Sequence, residues 1–331
     1  MSYRLSLLDK TPVDEGRAAG DAYATTLLYA ELADRLGYHR FWAAEHHGSR
    51  ALASAAPEIV VSHVLARTRR IRVGTAGILL SHYSPFKVAE VFGVLSQLAP
   101  GRVDLGIGRA VGGLPETVRA LQEEFAPERT PFEDKLADLD LFLKGAASTG
   151  HRHQGAEIQP RPALLPERFL LGSSETSATL AASLGWGFVH AGHHDGDHGA
   201  IDATLRAARA AGPDPILAVT AFAAPTREEA LAKADRRSFK AVFRDGFSIN
   251  VGSLEAVEEH ARQLGEQPVS VEERRPQIIA GTPDDVHRAL GRLAERHGVA
   301  EFVLDVPVAA REARLASIEL IARADARRAA A

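Results

Sequence analysis

The sequence predicts a (β/α)8 barrel. Three observations predict it: strand-like and helix-like runs alternate along the whole chain, eight strand-like runs can be counted, and the charged or glycine-rich motifs fall where strands end. Alternation alone does not prove closure, so an open doubly wound sheet is the competing arrangement. Residues 1–331 read as one domain, because barrels of this kind routinely exceed about 200 residues as a single unit.

Leu5-Ser6-Leu7-Leu8 is the first strand, and a helix follows from Asp21. Leu28, Leu32 and Leu36 recur there at helical spacing until Gly37 ends it. Arg40 to Ala44 is the second strand, with a helix from Pro57 to Arg69. The third strand, Ile71 to Leu80, is rich in small and branched residues and leads to a helix over Phe86 to Leu98. Pro100-Gly101 turns the chain into the fourth strand, Val103 to Gly108. A loop rich in glycine and proline follows, then a helix over Phe132 to Lys144, then an irregular stretch over 146–166. Phe169-Leu170-Leu171 is the fifth strand and Thr176 to Leu184 its helix. Gly187 to Ala191 is the sixth, followed by a helix over Ala200 to Ala211. Ile216 to Phe222 is the seventh, and Thr226-Arg227-Glu228-Glu229 has the pattern of a capping box, in which hydroxyl and carboxylate each satisfy an orphan amide. Residues 240–276 are the least regular and carry one extra helix over Leu254 to Leu264. Thr282-Pro283-Asp284-Asp285 starts a helix with an N-cap, a first-turn proline and two acids on the positive dipole end. Glu301 to Val306 is the eighth strand and Arg311 to Arg327 the last helix.

With 45% hydrophobic and 25% charged residues, the chain has the composition of a soluble globular protein. A net charge of −4 argues against nucleic acid or an anionic membrane as partner. Cysteine is absent, which excludes disulfides, thiolate nucleophiles and Cys-ligated metals. The N-terminal residues lack the basic and apolar segments of a signal peptide, and no apolar run reaches the roughly 18 residues of a membrane span. A cytoplasmic protein is expected.

On a barrel, the C-terminal ends of the strands converge on one pocket. The apolar run Phe41 to Ala44 ends there in Glu45-His46-His47, where titratable groups suggest proton chemistry. The bland alternative is a pair of surface histidines. Metal is disfavoured, because adjacent histidines on a strand point to opposite faces. Gly74-Thr75-Ala76-Gly77 marks either a close approach of backbone to ligand or the taper of a core. Gly106-Ile107-Gly108-Arg109 leaves room beside a guanidinium, which suits a phosphate or carboxylate or else a structural salt bridge to a loop acid. Gly172-Ser173-Ser174-Glu175-Thr176-Ser177 joins a strand to a helix and offers free amides, a dipole and hydroxyls, a ready anion site. Ordinary N-capping explains one of those hydroxyls. Gly192-His193-His194-Asp195-Gly196-Asp197-His198 reads as a polar loop more than a metal tract, and His151 and His153 as solvated.

Several of these motifs, in this order, resemble those of the bacterial luciferase-like flavin monooxygenases, and within them the single-chain oxidoreductases. The resemblance spans nearly the whole chain and rests on Leu36 to His47, Arg72 to Leu80 and Pro100 to Arg109, with Ser173, Ser174, Ser177 and Gly281-Thr282-Pro283-Asp284. It implies that His46 acts beside the reactive edge of reduced flavin, oriented by Glu45 and His47. It implies a non-proline cis peptide at Ala76-Gly77 under the isoalloxazine, and a flavin phosphate held by Arg109, Ser174 and Ser177 with Ser173 beside them. The implied activity is oxygenation of a small organic substrate by reduced FMN and O2 through a flavin 4a-peroxide. An NAD(P)H-dependent flavin reductase would supply the FMN, and the chain would form a homodimer through its early helices. A deazaflavin-dependent hydride-transfer enzyme and a non-catalytic flavin-binding relative remain alternatives. The chain departs from luciferase in having Gly108 where luciferase has cysteine, and Ser81-His82-Tyr83-Ser84 in place of a more proline-rich turn. The stretch between the seventh and eighth strands also looks short for a long mobile lid.

Overall fold

The computed structural model describes residues 3–122, 130–145, 150–191 and 196–330. Eight parallel strands form the barrel: β1 (Arg4–Asp9), β2 (Arg40–Ala43), β3 (Arg72–Thr75), β4 (Val103–Gly108), β5 (Glu167–Gly172), β6 (Gly187–His190), β7 (Ile216–Ala223) and β8 (Glu301–Asp305). Each pairs with the next in sequence, and β8 returns to β1 from Arg4↔Glu301 to Leu8↔Asp305. The sheet is therefore closed, and the doubly wound alternative falls.

Strand alternation explains the two separate apolar clusters. Leu5, Leu7, Phe41, Phe302 and Leu304 face outward and pack under the helices. Leu8, Trp42, Ala44, Phe169, Val189 and Val303 face inward and fill the barrel. Below them the interior floor is ionic. Arg40 donates to Asp104 (2.9 Å), Glu167 (2.8 Å) and Glu301 (2.9 Å), and Asp104 also accepts from Trp42 Nε1 (2.9 Å) and from Arg72 Nη2 (2.6 Å).

Several sequence expectations need correction. The third strand does not run unbroken from Ile71 to Leu80. It stops at Thr75, crosses a cis Ala76-Gly77 peptide, resumes at Ile78–Leu79 and tightens into a 3-10 turn over Leu80–His82. The Leu28, Leu32, Leu36 stripe is not the buried face of helix Ala19–Leu36. That face is Ala22, Thr25, Thr26, Tyr29, Ala30 and Ala33, small enough to let the helix lie close to the strands, while Leu28 is 40% exposed. The loop after β4 contains a helix, Pro115–Gln122. Thr226 caps its helix by accepting from the Glu229 amide (3.2 Å), but the Glu229 carboxylate takes Lys233 (2.7 Å), so the box is half made. At Thr282 and Asp285 both halves are present. His151 and His153 are not simply solvated: both approach the buried Asp138 carboxylate, at 3.3 and 3.5 Å, beside Arg152.

The largest departure lies between β7 and β8. Beyond helix Leu254–Leu264, this stretch forms a three-stranded antiparallel sheet from Ser238–Val242, Ser248–Val251 and Ser270–Arg274. The helix lies against Pro115–Gln122, where the Glu116 amide donates to Gln263 Oε1 at 3.0 Å. The segment is thus long enough to reach the helix that follows β4. After it, Ile278–Gly281 adds to β7 in parallel, from Ile278↔Thr220 to Gly281↔Ala223.

Candidate active site

The end of β2 carries the densest polar geometry in the upper barrel. Glu45 is buried and gathers three donors: His47 Nε2 (2.6 Å) and Tyr83 Oη (2.6 Å) on Oε1, and the Leu79 amide (2.9 Å) on Oε2. A carboxylate only accepts, so these bonds place the proton on His47 Nε2. Burial and the Glu45 bond both push the Tyr83 hydroxyl pKa upward, keeping it a donor. The Leu79 amide lies just past the cis Ala76-Gly77 peptide, so one side chain ties the β2 terminus to that irregular segment. His82, behind His47 with ring centres 5.6 Å apart, donates from Nε2 to the Val111 carbonyl (2.7 Å) and accepts at Nδ1 from Gln122 (3.0 Å).

His46 is held differently. Its amide donates to the Ser54 carbonyl (3.0 Å), and Nδ1 sits 3.4 Å from the Ser54 hydroxyl. Burial, reinforced by the Lys10 ammonium, pushes its pKa down to about 4. At neutral pH the ring is therefore an uncharged imidazole that can accept a proton.

The floor beneath this rim is backbone. The Ala76 amide donates to the Ala43 carbonyl (2.8 Å) and the Thr75 hydroxyl to the Gly106 carbonyl (2.9 Å). A Cβ on Gly106 would fall 2.1 Å from the Thr75 carbonyl oxygen, and one on Gly77 2.7 Å from the Gly108 nitrogen. The glycines of both motifs thus serve the close approach of β3 to β4.

Arg109 and the serine turn leave adjacent strand ends, since Gly108 pairs with Leu171. Arg109 is 45% exposed; it donates to Glu133 (2.5 Å) and lies over the Phe132 ring. The expected salt bridge to an acid exists, with the acid on a helix. Ser174 is the N-cap of helix Glu175–Ser183, accepting from the Ser177 amide (3.2 Å) and donating to the buried Ser177 hydroxyl (3.1 Å). Ser174 and Ser177 therefore shape the turn, while Ser173 is exposed. Among the described residues, the Glu175 and Thr176 amides have no acceptor, as expected of a helix start. The turn offers the donor types that an anion takes, an exposed hydroxyl, two open amides and a positive helix end, while the Arg109 guanidinium on the neighbouring strand end is engaged by Glu133.

Sequence reasoning missed Lys10, Ser54, Tyr83, Gln122 and Asp305. Lys10 and Asp305 pair at 2.7 Å across the β1–β8 seam. Only strand order could have found them. Of the His193 tract, Gly192 to Asp195 lies outside the described residues; Asp197 caps the next helix and His198 stacks on His297. Among the described residues no helix is long and apolar enough to cross a membrane.

A closed barrel carrying this rim belongs to a known class. The luciferase-like monooxygenase family model matches residues 3–311, and the chain belongs to that family. The N-acetyl-S-alkylcysteine monooxygenase of Bacillus subtilis is 40% identical over 313 residues, covering 92% of this chain and 93% of that protein. The crystal structure of apo-MsnO8 superposes with a TM-score of 0.76 at 31% identity, covering 97% of this chain and 98% of the other. At lower identity the fold is shared with the oxygenating constituent of 3,6-diketocamphane monooxygenase from Pseudomonas putida in complex with FMN (TM-score 0.68, 19% identity, 98% and 97% covered). It is also shared with an F420-dependent secondary alcohol dehydrogenase (TM-score 0.67, 17% identity, 97% and 98% covered).

Proposed function

We propose that this chain is an FMN-dependent monooxygenase acting on a small N-acylated S-alkyl amino acid. One observation carries the reading: a neutral imidazole (His46), a backbone floor at Ala76-Gly77 and a phosphate corner (Arg109, Ser173, the Glu175 and Thr176 amides) share one barrel end. The substrate class is taken from the Bacillus subtilis relative, at 40% identity over nearly the full chain. The phosphate corner would hold the cofactor, with Ser174 and Ser177 fixing its shape. When bound, reduced FMN would supply the two electrons that split dioxygen, one oxygen atom going to the substrate and the other leaving as water.

The chain's own residues do the rest. His46 offers an uncharged imidazole at the rim, with one nitrogen to donate and one to accept a hydrogen bond. Glu45 fixes the tautomer of His47 and anchors the segment after Gly77, so both orient the site. The segment between β7 and β8, which reaches the helix after β4, would limit water at the mouth. A separate NAD(P)H-dependent reductase would deliver FMN. Tyr23, Leu28, Ile59, Val94 and Leu98 are exposed apolar residues on three early helices, which supports a homodimer formed there.

The test combines calorimetric titration of FMN with oxygen uptake and product analysis on N-acetyl-S-methylcysteine. His46→Ala is expected to bind FMN unchanged while coupled oxygenation falls about 10²–10⁴-fold. Undiminished product from that variant refutes the role of His46. Binding of a deazaflavin in preference to FMN, with no oxygen uptake, would favour the hydride-transfer alternative.

A further inference from the structure

Lys10 and Asp305 form an ion pair in the upper interior of the barrel that the cofactor side of the site does not use. Asp305 is level with Leu8 on one side and Thr220 on the other. Leu8 lies in the interior cluster, and Lys10, two residues on, continues the same face of the chain. Lys10 Nζ donates to Asp305 Oδ2 at 2.7 Å, and the two side chains keep 26% and 11% exposure. Both act on the charge of His46, Lys10 lowering its pKa and Asp305 raising it, so the pair lies near that ring. At the opposite end, Arg40, Asp104 and Glu301 are sealed from solvent. The upper pair is less sealed, with Lys10 the more open partner, and it sits at the end where barrel chemistry occurs.

We propose that Lys10 and Asp305 are the polar anchor of the substrate, reading the carboxylate and the amide N–H that an N-acylated amino acid bears on a single carbon. The proposal rests on the reading that this site acts on such a compound. Its logic is complementarity: an ammonium beside a carboxylate on the protein faces a carboxylate beside an N–H on the ligand. Lys10 takes the ligand carboxylate in a charge-assisted bond, and Asp305 accepts the N–H. An ester removes the charge that Lys10 needs, and N-methylation removes the donor that Asp305 needs.

The experiment is calorimetric titration of the full chain, with and without FMN, using N-acetyl-S-methyl-L-cysteine, its methyl ester and its N-methylated analogue. The acid is expected to bind, with the ester and the N-methyl compound each roughly tenfold weaker or worse. Lys10→Gln should erase the preference for acid over ester, and Asp305→Ala the preference for N–H over N-methyl; thermal unfolding checks that both variants fold. Equal affinity of wild type for acid and ester overturns the proposal with no variant needed, and so does failure of all three probes to bind in either state. If FMN does not bind but the acid–ester preference persists, the flavin reading falls and the anchor stands.

Discussion

At the scale of single residues, Glu45 organises the rim. Its carboxylate satisfies an imidazole next to it and a backbone amide and a phenol from the segment after Gly77. Removing one donor tests this. Tyr83→Phe is expected to lower stability by about 1–2 kcal/mol, since a buried bond to a charged acceptor is lost while the ring stays packed. The urea midpoint measures it, and an unchanged midpoint would show that the bond contributes nothing. Glu45, His46 and His47 were legible in the sequence because an apolar run ends abruptly in charge. Tyr83 and Asp305 were not, because their partners lie 38 and 295 residues away and meet only after the barrel closes.

At the scale of elements, the strands were legible from their apolar runs, since burial on both faces leaves little else for a parallel strand to be. Breaks in those runs were not. The break after Thr75 was legible only through the resemblance, which implied the cis Ala76-Gly77 peptide; the residue pattern of Ile71 to Leu80 does not announce it, because small residues fit an irregular segment as well as a strand. The antiparallel sheet between β7 and β8 was hidden for another reason: its strands are short and their exposed faces polar, as in Ser270–Arg274, which leaves a weak apolar signal. The ionic floor ties five strands together: Arg40 on β2 bonds Asp104 on β4, Glu167 on β5 and Glu301 on β8, and Glu301 in turn accepts from Ser6 on β1. Arg40→Met is expected to cost about 3–5 kcal/mol, because Asp104 and Glu301 stay buried with less compensation. Denaturant unfolding at neutral pH is the measurement, and a loss under about 1 kcal/mol would mean that Arg72 and Arg4 suffice.

For the whole molecule, the histidines set the response to acid. Burial holds His46 and His190 down at about 4 and also lowers His82. The unfolded chain binds protons on these rings near pH 6.5, before the folded one does. Their contribution to stability is therefore complete above about pH 6.5 and is lost as pH falls from there toward 4. Urea midpoints should be level from pH 7 to 8 and decline below about 6.5, with a shallower decline in His46→Gln/His190→Gln. A midpoint constant across the acid range contradicts this.

Strand Ile278–Gly281 lies alongside the end of β7, so the intervening stretch leaves and re-enters the barrel at one stitched seam. Such a stretch behaves as a cassette: doubling its length adds only about 0.6 kcal/mol of closure entropy. Homologous versions of different size and sequence could be exchanged there by recombination, altering which molecules are admitted while the charged base of the cylinder keeps it folded.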